Sequence, residues 1–86
     1  MEEKVMTGEE LVEIVKNQLA DNNPKKVTET LMRLRMTGHS REEAIEYMAC
    51  ALMVEVYDVV KNDAEFNHKR YEENLDFLPD MPWEEV

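Results

Sequence analysis

His39, Glu42 and Glu46 have side chains that could bind a metal. Glu42 and Glu46 are four residues apart, so a helix sets both carboxylates on one face. His39 stands just ahead of that helix with an imidazole that could complete a hard or borderline metal site. The same acids also have ordinary helix chemistry. Ser40-Arg41-Glu42-Glu43 reads as a capping box, which accounts for Glu43, and first-turn carboxylates complement the positive end of the helix dipole, which accounts for Glu42.

Glu55 is a second notable acid, because it stands at the edge of an apolar stripe with Ala51, Leu52 and Val59 about one turn away and Met48 about two. A carboxylate in such a place needs a partner or takes up a proton, and raised pKa values are how acids become catalytic. The structural alternative is an ion pair with an arginine such as Arg33 or Arg35 of the preceding helix, or a rim position open to water. Cys50 is a nucleophile in name only, since nothing sets His39 or His68 beside it; it reads as a small core or interface residue. His68 falls on the stripe of the last helix, as a packing residue or an exposed first-turn one. Residues 63–74 carry acids and amides at calcium-loop intervals, but His68 stands where the sixth-position glycine belongs and Asn74 where the last glutamate does. There is no triad, phosphate loop or cofactor fingerprint, so no catalytic residue and no cofactor is assigned.

These residues are carried on four predicted helices, at about 8–21, 24–37, 41–61 and 67–78. Thr7-Gly8-Glu9-Glu10 forms a capping box ahead of Leu11, Val12, Ile14, Val15 and Leu19 at helical spacing. Asn23-Pro24 offers a side-chain cap with proline at the first helical position, Val27, Leu31 and Leu34 follow, and Gly38 supplies a left-handed terminus. The third helix has Ile45, Met48, Ala49, Leu52, Val56 and Val59 on one face, and its other side carries Tyr47, Cys50, Val54 and Tyr57 among its acids. A helix apolar over most of its circumference belongs at the centre. Asn67 caps the last helix, with Phe66 placed to staple against Tyr71, and Pro79 ends it. The fold class is all-α: one small four-helix, bundle-like domain with a long central third helix, followed by an acidic tail over 79–86 that contains Trp83.

From about residue 8 to 78 the chain resembles a small bacterial family of uncharacterised all-helical proteins, a domain of unknown function. The resemblance rests on Glu13-Ile14-Val15-Lys16-Asn17-Gln18-Leu19, Asn22-Asn23-Pro24, Leu31 with Leu34, and Gly38. It continues through Arg41-Glu42-Glu43-Ala44-Ile45-Glu46, Glu55-Val56-Tyr57-Asp58, and Phe66 with Tyr71, in order and at similar spacing. Many members of the family read R-H-E-A-I-H at that helix start, and tend to have a histidine where this chain has Val12. A histidine pair at i and i+4 would suit a transition metal. Glu42 and Glu46 occupy both positions here, so a zincin-like helix does not carry over. The resemblance implies an all-helical fold and no particular activity.

Bulk properties exclude several functions. Twenty acidic residues against ten basic give a net charge of −10, which repels nucleic-acid phosphates and anionic membrane surfaces alike. The most apolar stretch, 48–60, is too short for a bilayer and is broken by Glu55 and Asp58. A single cysteine and no leader-like opening point to a reducing, cytoplasmic setting. Seven methionines among 86 residues are many. Met48 faces inward, whereas Met36 and Met53 are hard to bury in one copy, and Met32 could join them on an adaptable contact surface. Trp83 either docks on its own domain, serves as a handle for a partner, or stays unstructured.

Two functions remain. The first is a non-enzymatic protein–protein interaction module, self-associating or binding another protein through Tyr47, Cys50, Met53, Val54, Tyr57 or Trp83. The alternative is a metal-binding protein, with Glu42, Glu46 and His39 as ligands, or a metal-dependent or acid-based enzyme built on Glu42, Glu46 and Glu55. Monomer and homo-oligomer both remain open.

Overall fold

Local signals start and stop the helices of the computed structural model, which describes residues 7–82. Helix α1 (Gly8–Asp21) opens on a complete capping box: Thr7 Oγ1 accepts from the Glu10 amide at 3.2 Å, and Glu10 Oε1 accepts from the Thr7 amide at 2.9 Å. Asn22 closes α1 in the left-handed region at φ 51°, where an asparagine is tolerated. Helix α2 (Lys25–Met36) starts one residue later than the Pro24 start suggested by the sequence, and Asn23 does not cap it. The reason is local. The Asn22 and Asn23 amides are used in closing α1, on the Leu19 and Gln18 carbonyls, so the chain arrives at Pro24 still extended. Gly38, at φ 103°, lets the His39 amide return to the Leu34 carbonyl and end α2.

Helix α3 (Arg41–Asn62) begins with the second capping box, Ser40 with Glu43, and runs one residue past the expected end. The carboxyl of Glu43 is held below the usual range, chiefly by its hydrogen bond from the Ser40 backbone. Helix α4 (His68–Phe77) is capped by the Asn67 side chain, which accepts from the Arg70 amide at 2.9 Å. The Phe66 and Tyr71 rings meet edge to face at 5.7 Å, forming the staple.

The fold is all-α, and α3 is its axis: α1, α2 and α4 all pack on it, and α4 also packs on α2. That explains its near all-round apolarity. Ala44, Ile45, Met48, Ala49, Ala51, Leu52 and Glu55 are all buried, a wider sector than a helix packed on one side would hide. Leu11 and Val15 from α1, Val27 and Leu34 from α2, and Tyr71, Leu75 and Leu78 from the last segment complete the core. No helix is long and apolar enough to cross a membrane among the described residues.

Arg33 ties α2 to the end of α4. Its Nη1 donates to the Leu78 carbonyl at 2.6 Å, and its Nη2 to those of Leu75 at 2.9 Å and Asp76 at 3.5 Å. They lie at the C-terminus of α4, where carbonyls run short of helical donors, and of the three that of Leu75 also accepts from the Leu78 amide at 3.2 Å. Arg33→Ala should therefore lower stability by about 2 kcal/mol, as loss of charge-assisted bonds to partly buried acceptors does. Arg33→Lys should recover only part of it, because an ammonium lacks the planar fork. The midpoint of urea unfolding reads both.

Candidate functional site

The acid singled out within the apolar stripe sits deeper than its sequence position suggests: Glu55 is fully buried. Its partner is neither Arg33 nor Arg35. Arg33 is committed to the end of α4, and Glu55 instead meets Arg70, whose Nε donates to Oε2 and whose Nη2 donates to Oε1 at 3.0 Å. The amide of Asn67 also donates to Oε1, at 3.1 Å. Residues 63–67 turn the chain back after α3, so the first turn of α4 lies along the last turns of α3. The third residue of α4 therefore comes into reach of Glu55.

Arg70 Nη2 also donates to Asp58 Oδ2 at 2.9 Å, joining two acids of α3 through one guanidinium. The Asp58 carboxyl is held below its ordinary value, first by the Asn62 side-chain amide at 2.7 Å and then by Arg70. The Arg70 guanidinium is held above its ordinary value by its hydrogen bonds to Glu55 and Asp58. Both Glu55 oxygens are thus engaged by donors of the protein itself, and the cluster forms a structural clamp across the α3–α4 turn.

The other candidates are scattered. Glu42 and Glu46 are exposed on α3, while His39 is half-buried, with its ring edge to face with Tyr47 at 5.4 Å. Among the described residues no group of three His, Cys, Asp or Glu is placed to hold a metal ion. His68 is exposed, and its ring lies 4.8 Å from that of Phe66. Trp83 lies outside the described residues.

The candidate contact residues of α3 divide by helical phase. Glu46, Cys50, Met53 and Tyr57 follow one another at four- and three-residue steps on a single stripe. Tyr47 and Val54 lie further round and are half-buried, Tyr47 against the core. The stripe borders a groove of about 770 Å³ between α1 and α3. Leu11, Val12, Ala49, Cys50 and Met53 supply its apolar lining, and Glu9, Glu13, Lys16 and Glu46 bring charge to it. Met53 is 43% exposed, and Tyr57, one turn beyond it, is 51% exposed.

Val12, Ala49, Glu9 and Glu13 were not legible as site residues. Helical periodicity gives each residue's face within its own helix, whereas the groove depends on how α1 and α3 sit against each other. Glu46, considered above as a metal ligand, is instead a charged margin of this groove. No protein-family model, curated protein or solved structure matches this chain.

Proposed function

We propose that this chain is a non-enzymatic interaction module that holds an amphipathic helix of a protein partner in the α1–α3 groove. The observation that carries this reading is the groove itself: an open apolar channel beside the longest helix, with Val12, Cys50 and Met53 accessible and carboxylates around them. A helix laid in a groove is read through apolar anchors at three- and four-residue spacing, and the acids select for cations on its flanks. Methionine suits such a wall because its flexible thioether adapts to the incoming side chains. A cytoplasmic setting agrees with the single cysteine and the net charge of −10.

The test is a titration with a synthetic amphipathic peptide of leucine, lysine and arginine, followed by amide chemical shifts in the full chain. Shifts should concentrate on Val12, Ala49, Cys50 and Met53. Met53→Glu should weaken binding about tenfold or more, the equivalent of about 1.4 kcal/mol. No shifts, or shifts spread evenly over the acidic surface and unchanged by Met53→Glu, would remove the groove from consideration.

A further inference from the structure

We propose that the helix received by this groove is α2 of a second copy of the chain, so that the protein assembles head to tail. This rests on the reading of the groove given above and names its occupant. Met32 and Met36, four residues apart on α2, project from one face and are 60% and 81% exposed. With Thr28 and Leu31 they border a shallower depression, flanked by Arg35 and by Arg41 at the start of α3.

That face is the complement of the groove in both respects. Its methionines offer two anchors at the spacing that a groove reads, and its arginines answer the carboxylates of Glu9, Glu13 and Glu46. Arg33 and Arg70 are engaged within the domain, and Lys26 is paired with Asp76 at 3.1 Å. Arg35 and Arg41 make no ion pair among the described residues. Glu29, on the same outer face of α2, is already paired with Lys26 at 3.8 Å, and Lys16, the groove's own cation, lies 3.9 Å from Glu13, which leaves Glu9 and Glu46 as the main acids for the arginines.

The two surfaces are built from different helix pairs, α1 with α3 and α2 with the start of α3. On α3 itself, Arg41 and Met53 lie roughly 120° apart at about 100° per residue. The contact is heterologous: each copy has one groove and one α2 face turned in different directions, and assembly continues past the dimer, to a ring if the rotation closes and to an open chain if it does not. Two copies at −10 each repel, so the contact is weak, and assembly is read at high protein concentration.

The experiment is light scattering coupled to size exclusion across a dilution series. It uses the wild-type chain, Met53→Glu, Met36→Glu, and an equimolar mixture of the two variants. Both substituted side chains are exposed, and circular dichroism confirms that each variant remains folded. The wild-type mass should rise with concentration beyond that of a dimer. Each variant alone should stay monomeric. The mixture should recover a dimer and nothing larger, since it retains one intact groove and one intact α2 face.

A wild-type mass that stops at the dimer, or a mixture that stays monomeric, would overturn head-to-tail assembly. A wild-type chain monomeric at every concentration would overturn it as well. In that case, peptide binding in the groove would leave the interaction reading standing with a foreign partner, and no peptide binding would end both.

Discussion

Arg70→Ala is expected to destabilise the domain by about 3 kcal/mol, the largest effect of a single charged-residue substitution in this chain. Glu55 is fully buried and depends on Arg70 for two of its three hydrogen bonds, so the variant leaves a carboxylate in the core with only the Asn67 amide. Breaking a buried pair by removing one partner costs about 3–5 kcal/mol. The low end applies because the Arg70 side chain is 39% exposed and water can follow into the gap. Asp58 loses the same guanidinium. For a domain of this size that is a large part of the total stability, roughly 0.05–0.15 kcal/mol per residue.

The double variant Glu55→Gln with Arg70→Met separates the clamp from simple packing. The Gln carbonyl still accepts from the Asn67 amide, the buried charge is gone, and Met fills much of the space left by the arginine stem. Its cost should fall to about 1 kcal/mol, and with Arg70→Met alone costing about 3 kcal/mol for the same unpaired buried charge, the cycle completed by Glu55→Gln gives a coupling energy of about 2 kcal/mol or more by urea unfolding. Additive single-variant costs would mean that Arg70 contributes only its aliphatic stem.

The clamp also marks where sequence reading stops. Thr7, Ser40, Asn67 and Phe66 with Tyr71 were legible because caps and staples are settled within about one turn of helix, by residue type and spacing alone. Glu55 was legible as an anomaly, a carboxylate in an apolar stripe, and the central place of α3 followed from its broad apolar sector. The partner of Glu55 was not legible. Arg33 and Arg35 of the preceding helix were the partners that the sequence suggested, and the reach of Arg70 rests on how residues 63–67 turn the chain, which no periodicity records.

The groove was half legible, for a similar reason. Met53 and Cys50 stood out on α3 as apolar residues with no obvious cover, while Val12 and Ala49 looked like ordinary core positions until the packing of α1 left them at an opening. The metal reading shows the converse. Glu42, Glu46 and His39 are neighbours in sequence, yet His39 turns toward Tyr47 and the two acids stay on the exposed side of α3. Proximity along the chain constrains the backbone and leaves side-chain convergence to the tertiary contacts.

Tyr71→Phe is expected to be less stable than the wild type at neutral pH and more stable in strong alkali. Tyr71 is fully buried, and its hydroxyl donates to Gln18 Oε1 at 2.7 Å, joining α4 to α1. Loss of that bond should cost about 1 kcal/mol near pH 7. Burial pushes the phenol well above its ordinary value of 10, outweighing the Gln18 hydrogen bond, which acts in the opposite direction. A raised value in the folded state means that the unfolded chain gives up this proton first. The stability tied to it is complete below about pH 10 and is lost as pH rises toward the folded value, at up to about 1.4 kcal/mol per pH unit. Lys26 is also raised, chiefly by its hydrogen bond to Asp76, so its contribution has the same sign, but it is common to both proteins and cancels in their difference. The two stability curves should therefore cross near about pH 11, where the loss from the phenol equals the hydrogen bond that the variant lacks. Urea unfolding at a series of alkaline pH values reads the crossing directly. Curves that stay parallel from neutrality to strong alkali would mean that Tyr71 ionises as easily in the folded chain as in the unfolded one, and that the α1–α4 seam admits water.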